Sequence, residues 1–373
     1  MKPIVLIIEN APAVTGSVKS ILRSCLYLQN DFEFVFLFPT KSAASSFVKG
    51  QGFVVYEMPL LELRKTLRAV LFYLPVLFIN LIRFRRIIAE CKAQLIVVND
   101  FYNMIPSIYK LLNGRVPYLT YVRFVPDRFP KLLVSIWCYS HFRLAEKIIA
   151  VSPAVLRRLK SHQSVVLVHG ELPEKEFQFF PINPESRTIL YLSNYTLGKG
   201  QEHALMAFAA LGNDFSDWTL RFVGGDMGLS KNRAFKMKLR MLAEELHVSG
   251  RVQWLDFTYN VVEEYRQSSL VLNFSDSESF SLTCMEAMFM GRPVIATRSG
   301  GPEEMISAGV DGTLVEVGNV RQMTEAIKML LSNASLRNDY GQRAHAAIVR
   351  KFTPENTVDK LRQIIEQAVI PDY

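Results

Sequence analysis

The chain has 373 residues, 49% of them hydrophobic and 21% charged, a balance that excludes intrinsic disorder and leaves room for two cores of ordinary size. Its formal net charge of +8 is lopsided: residues 1–180 hold 23 Lys and Arg against 12 Asp and Glu, whereas residues 181–373 hold 20 against 23. The basic surplus directs the first half toward something anionic, and with no nucleic-acid recognition motif beside it, charge alone is weak evidence for nucleic-acid binding.

Taken in chain order, the opening apolar run 4–8 is too short for the core of a signal peptide and reads as a first strand. Short, mostly β-branched runs then recur at 34–38, 53–56, 95–98, 118–122, 148–151 and 165–168, with helix-length segments between them. That alternation is the mark of βαβ units around a parallel sheet. A stretch rich in proline and acid follows (Glu171, Pro173, Glu174, Glu176, Pro181, Pro184), and the pattern begins again with runs at 188–192, 220–223, 252–255, 270–273, 294–297 and 313–315. The expected fold is α/β: two doubly wound Rossmann-like domains, 1–180 and 181–353, facing an interdomain cleft, with a helix at 354–369 crossing back to the first. Cys25, Cys91, Cys138 and Cys284 form no C-x-x-C pair, so neither a zinc site nor a disulfide framework is expected, and a reducing cytoplasm fits best.

Residues 61–92 stand out. Positions 69–82 are apolar apart from Asn80, while the flanks carry Arg64, Lys65, Arg68, Arg83, Arg85, Arg86 and Lys92. Fourteen residues interrupted by Pro75 are too few to span a bilayer, which takes about 20. Two readings remain: a kinked hairpin lying among anionic headgroups at the inner face of the cytoplasmic membrane, or a pair of helices buried in the domain with snorkelling ends.

The stretch from Ser275 carries the chemistry. The strand 270–273 ends in a polar loop containing Asp276, Ser277 and Glu278, and a helix begins near Thr283, so the backbone N–H groups of Ser281, Leu282 and Thr283 make a ready anion site with the helix dipole behind it. Glu278 in the loop and Glu286 one turn into the helix are good acceptors for sugar hydroxyls and poor partners for phosphate. Each also has a plain structural reading. Thr283-x-x-Glu286 fits a capping box, and an isolated loop acid is usually just solvated. Farther upstream, Gly198-Lys199-Gly200 follows the strand 188–192. It lacks the glycine and hydroxyl of a Walker loop, and reads either as a phosphate-neutralising lysine or as an ordinary turn.

Glu278 and Glu286 form an E-x7-E motif. With Glu286-Ala287-Met288, Gly291-x-Pro293-Val294-Ile295-Ala296 and Gly300-Gly301-x-x-Glu304, the stretch resembles the donor site of retaining glycosyltransferases of family four, which have the GT-B fold. The resemblance is specific over roughly residues 188–350. It implies that Glu286 binds the ribose hydroxyls of a nucleotide, that Glu278 contacts the transferred sugar, that amides around Ser281 to Thr283 meet the diphosphate, and that Lys199 neutralises it. It further implies a metal-independent, retaining transfer from a nucleotide-diphosphate sugar to a glycan or lipid-linked acceptor, with no cofactor, in bacterial surface-polysaccharide, lipopolysaccharide or glycoconjugate synthesis. The chain departs from the family in four places: Asn194 where an arginine usually precedes the lysine, Arg123 in place of a histidine, His169-Gly170 in place of Asn-Gly, and a single Gly16 in the first loop. Arg123 reads as a catalytic contact to donor or acceptor or as part of the basic surface, Asn194 as a donor-binding residue, His169 as a donor-binding residue or a surface loop histidine, and Gly16 as a donor-binding tight turn bringing backbone close to the sugar. Three rivals keep their place: a D-x-D-like metal site at Asp276-Ser277-Glu278, a nucleotide-sugar epimerase of the same fold, and a non-catalytic scaffold binding a nucleotide sugar or a membrane.

Overall fold

The computed structural model describes residues 2–60, 67–124, 130–159, 162–169, 177–355 and 357–369, the side chains of 67–77 excepted. The chain falls into two compact units, Met1–Leu172 together with Pro354–Tyr373, and Pro173–Thr353.

In the first unit the elements run β1 Ile4–Ile8, α1 Gly16–Leu28, β2 Glu33–Pro39, α2 Ala43–Gly50, β3 Val54–Met58, α3 Leu67–Cys91, β4 Leu95–Val98, α4 Ile105–Leu111, β5 Tyr118–Val122, α5 Lys131–Leu144, β6 Lys147–Ala150, α6 Pro153–Arg158 and β7 Val165–Leu167. The seven strands are parallel in the order β3-β2-β1-β4-β5-β6-β7. Central strands such as β4 (Leu-Ile-Val-Val) are apolar without alternation and wholly buried, as a sheet covered on both faces requires.

The second unit runs β8 Thr188–Leu192, α7 Gln201–Ala209, β9 Thr219–Val223, α8 Ser230–Glu245, β10 Val252–Leu255, α9 Val261–Gln267, β11 Leu270–Asn273, α10 Leu282–Phe289, β12 Val294–Thr297, α11 Pro302–Met305, β13 Thr313–Val315, α12 Val320–Ser332 and α13 Ala334–Lys351. Its six strands are parallel in the order β10-β9-β8-β11-β12-β13. The last helix, α14 Val358–Ala368, belongs to the first unit, where it packs on α1 and Arg362 pairs with Asp31 at 2.9 Å. The thirteen strands expected from the apolar runs are all present, and each unit is a doubly wound Rossmann-like α/β sheet, as expected.

Within 61–92, the described residues show neither a kinked hairpin nor a pair of helices. From Leu67 the backbone forms one helix through Pro75 to Cys91; Leu61, Arg64 and Lys65 lie outside the described residues. A proline deletes one N–H and crowds the carbonyl four residues back, a local cost of about 3 kcal/mol that this helix of 25 residues carries. Among the described residues no helix is long and apolar enough to cross a membrane.

Arg292 is the largest fully buried side chain of the second unit. Its guanidinium donates to the carbonyls of Met290 (3.2 Å), Ser268 (2.9 Å) and Phe180, so it fastens the segment entering the unit to the ends of α9 and α10. Burial pulls its pKa down to about 10, which leaves it charged at neutral pH. The negative end of the α10 dipole, where Met290 is the cap, favours a cation at that spot. Arg292→Lys keeps the charge but cannot reach three carbonyls in one plane. We expect it to cost about 3 kcal/mol, read as a lower midpoint in urea unfolding; an unchanged midpoint would remove this clamp from the account.

Candidate functional site

An open parallel sheet offers a ligand crevice where neighbouring strands lead their connections to opposite faces. In the second unit that point lies between β8 and β11, which are hydrogen-bonded side by side. The loop leaving β8 carries Lys199 and the loop leaving β11 carries Glu278. Their side chains meet: Lys199 Nζ donates to Glu278 Oε1 at 2.7 Å, with Glu278 largely buried and Lys199 about one-third exposed. The same oxygen accepts from Ser275 Oγ at 2.7 Å.

Backbone geometry forces that meeting. Gly198 and Gly200 both have positive φ, +85° and +74°, and a Cβ on Gly200 would lie 2.0 Å from the Phe274 carbonyl oxygen, so only glycine lets the two loops close. Tyr191, fully buried in β8, joins them from below: its hydroxyl donates to the Lys199 carbonyl at 2.5 Å and accepts from the Phe274 N–H at 2.9 Å. The Asp276 N–H adds a bond to the Gly198 carbonyl at 3.0 Å. Glu278 is pinned through its own backbone as well, its N–H on Ser299 and its carbonyl accepting from Gly301. Asp276 is exposed, and Glu278 answers an ammonium on one oxygen; among the described residues no group of three or more His, Cys, Asp or Glu side chains is placed to hold a metal ion.

The start of α10 differs from the capping box that Thr283 and Glu286 allow. Ser281 is the cap, in a left-handed conformation with φ +81°, and its Oγ accepts from the Cys284 N–H at 3.4 Å and from Asn273 Nδ2 at 2.8 Å. Thr283 turns away and donates to the Leu192 carbonyl at 3.2 Å. Glu286 therefore does not pair with Thr283 to close the helix start. It is 4% exposed, and its Oε2 accepts from the Tyr265 hydroxyl at 3.1 Å. The N–H groups of Leu282 and Thr283, in the first turn of α10, have no acceptor among the described residues, as the opening of a helix leaves them. Lys199, Glu278, the Ser281 to Thr283 turn and Glu286 thus gather around one strand junction. Asn194 sits beside them in a supporting position: its Oδ1 accepts from the Gly225 N–H at 3.1 Å and its carbonyl from Gln201 Nε2 at 3.0 Å, which ties the loop after β8 to the one after β9.

Gly16, Arg123 and His169 belong to the first unit. Gly16 is exposed and opens α1 behind the Thr15 cap, and half-buried His169 follows β7; Gly170 lies outside the described residues. Arg123 follows β5 and is not a loose surface base. Its Nε donates to Asn99 Oδ1 and its Nη1 to Ser20 Oγ, both at 2.6 Å, and the guanidinium stacks 4.3 Å over Tyr121. Asn99 passes the connection on, donating to Glu9 and to the Ser17 carbonyl. Glu9, Asn99 and Asp100 escaped the sequence reading. Their signal was position: they follow β1 and β4, the pair flanking the strand-order reversal of the first sheet.

Glu9 is fully buried, and burial raises its pKa. Burial and then the nearby Glu9 carboxylate push Asp100 up to about 8, against the hydrogen bond from the Tyr102 hydroxyl at 2.9 Å and the charge of Arg123. A carboxyl raised in the folded state holds its proton there more tightly than in the unfolded chain. Its contribution is most favourable below the ordinary aspartate value of 3.8 and is lost as pH climbs toward about 8. Asp100→Asn should therefore gain stability relative to the parent between about pH 5 and about pH 9, measured by urea unfolding across that range. A constant difference between the two proteins would contradict the raised carboxyl.

With this geometry in place, the chain's relatives can be set beside it. Residues 173–347 match the family model for glycosyl transferases group 1. The N-acetyl-alpha-D-glucosaminyl L-malate synthase of Bacillus anthracis is 30% identical over 185 residues, 50% of this chain and 46% of that enzyme. The lipopolysaccharide core biosynthesis glycosyltransferase LpsE of Rhizobium meliloti is 28% identical over 127 residues, 34% of this chain and 37% of LpsE. The chain thus spans less than half the length of these curated relatives. Anabaena HepE, solved with UDP-glucose, superposes with a TM-score of 0.82 at 17% identity, covering 98% of both chains. Nearly all of the second unit therefore matches the group 1 glycosyltransferase model, and the whole chain shares the GT-B fold of its structural neighbours.

Proposed function

We propose that the protein transfers a sugar from a nucleotide-diphosphate sugar to a glycan or lipid-linked acceptor in bacterial surface-polysaccharide, lipopolysaccharide or glycoconjugate synthesis. The observation that carries this reading is the convergence of Lys199 and Glu278 at the strand junction of the second unit, 2.7 Å apart, beside the open amides of α10. Residues 181–353 hold the donor and residues 1–180 the acceptor side. The Lys199 ammonium and the amides of Leu282 and Thr283 hold the diphosphate, Glu278 takes hydroxyls of the transferred sugar, and Glu286, steadied by Tyr265, takes those of the ribose.

The chemical task is departure of a nucleoside diphosphate from an anomeric carbon that gains positive character. Preorganised charge where the leaving group collects electrons lowers that barrier without proton transfer by the protein. The lysine supplies the positive charge that a divalent ion supplies elsewhere, so the reaction proceeds without a metal or other cofactor. The family resemblance adds retention of anomeric configuration, with the acceptor attacking on the face the leaving group vacates. Arg123 serves as a catalytic contact, Gly16, Asn194 and His169 help to bind the donor, and the protein works in the cytoplasm, at the membrane's inner face through 61–92.

Lys199→Ala should lower turnover by about 10-fold or more while leaving the fold intact; undiminished turnover would refute the assignment. A thermal-shift panel of nucleotide-diphosphate sugars identifies the donor, since a bound ligand raises the melting temperature with its degree of saturation. Turnover of that donor with no acceptor separates an epimerase from a transferase, and activity in excess chelator tests the absence of a metal.

Glu278→Gln has a less obvious consequence. With the carboxylate gone, the ammonium loses its resident partner and phosphate loses a repelling neighbour. A nucleoside diphosphate without sugar should then bind about 10-fold more tightly, on the scale of one charged hydrogen bond, while transfer slows. Isothermal titration of the parent and variant reads this directly, and weaker binding in the variant would sink the exchange.

A further inference from the structure

Exposed apolar side chains in the first unit are concentrated on one side of its sheet. Right-handed crossovers put α1 and α2, which lead from β1 out to β3, on one face, and α3, α4 and α5, which lead back from β3 and on to β6, on the other. The packing agrees: α3 lies against α4, α4 against α5, and α14 against α1. On the α3–α5 side, Phe78, Ile79 and Ile82 project from α3, and Leu111 and Leu112 close α4. Arg85 joins these two groups by donating to the Leu112 carbonyl at 2.5 Å. On α5, Leu132, Ile136 and Tyr139 form a stripe at i, i+4 and i+7, with Leu132 73% and Tyr139 69% exposed. Such a stripe normally faces a core, and this one faces out.

The charges on the same elements are nearly all of one sign. Residues 78–92, 105–116 and 130–144 hold eight Lys and Arg (83, 85, 86, 92, 110, 115, 131 and 143) and one acid, Glu90. That acid accepts from the Tyr56 hydroxyl of β3 at 3.3 Å. On the opposite side α1 and α2 carry Lys19, Arg23 and Lys49, but α14 sets Asp359 and Glu366 against Lys360 and Arg362, and Arg362 pairs with Asp31 and with Asp359. A protein partner matched to an apolar field ringed by bases would need its own acids placed one by one. An anionic bilayer supplies hydrocarbon and phosphate everywhere, which suits aliphatic and tyrosine side chains spread over three helices with arginines between them.

We infer that the α3–α5 face docks this protein on anionic lipid, with α5 and the end of α4 entering the headgroup layer alongside α3. This deepens the membrane reading of 61–92 and is independent of the sugar chemistry. The test is co-sedimentation of the full chain with vesicles of phosphatidylcholine plus phosphatidylglycerol, against phosphatidylcholine alone. The parent should bind the anionic vesicles and lose them at high salt. Arg83→Gln with Arg86→Gln should weaken binding about 25-fold, roughly fivefold per base. Leu132→Ser with Ile136→Ser should weaken it by about 10-fold or more, whereas Met241→Ser on exposed α8 of the second unit should leave it unchanged. Thermal melting of each variant verifies its fold. If the parent ignores anionic vesicles, the membrane reading and this inference both fall. If the parent binds and the α5 variant binds equally well, the membrane reading stands and this face is wrong. Equal binding to neutral vesicles overturns the role of the bases, and a dimer broken by the α5 substitutions without any vesicle binding makes the face a contact between copies.

Discussion

The structure of the second unit turns on one ion pair held where a parallel sheet reverses its strand order. Two strands that hydrogen-bond side by side send their connections to opposite faces, so their carboxyl ends part and leave a notch. Lys199 comes from one lip and Glu278 from the other. A surface salt bridge contributes little to stability, and this one, with its lysine partly exposed, is no exception. Its importance is positional. It places a cation and an anion within reach of the same small volume, next to helix amides that favour negative charge.

Keeping charged groups in that volume requires the surrounding atoms to be committed elsewhere. Tyr191 spends its hydroxyl on the two loop backbones and Ser281 spends its hydroxyl on the helix cap, so neither competes for the carboxylates. Arg292 neutralises the far end of the same short helix from beneath. The site is therefore built on backbone carbonyls and amides satisfied by buried side chains, which hold the Lys199–Glu278 pair and Glu286 next to the opening of α10. A buried polar network of this kind tolerates no half measures, because each unmet partner costs more than a met one returns.

Much of this was legible in the chain. Apolar runs of four or five residues located each strand, since a strand buried on both faces leaves a signal that needs no tertiary context. The notch itself was legible from Gly198-Lys199-Gly200 and from the loop at Glu278, both at strand ends. What misled was local logic applied where tertiary contacts decide. Thr283 and Glu286 have the spacing of a capping box, but Asn273 reaches Ser281 from the neighbouring strand and fixes the cap two residues earlier. Pro75 reads as a break, yet the helix absorbs it. Glu9 and Asp100 lie 91 positions apart, and nothing in their own neighbourhoods announces that strand order will bring them together.

The two units make the same point by contrast. Both sheets reverse order beside their first strand, and both crowd ionisable groups there. In the second unit the loops deliver a lysine paired with Glu278, beside a helix start whose Leu282 and Thr283 amides have no acceptor among the described residues. In the first unit they deliver two carboxyls raised by burial and an arginine already bound to Asn99 and Ser20. Topology supplies the notch in each case and says nothing about its charge. What each notch can hold follows from which hydrogen bonds its side chains have already spent. By that measure the second notch presents a lysine–glutamate pair next to a helix start, while the first presents an arginine already committed to Asn99 and Ser20.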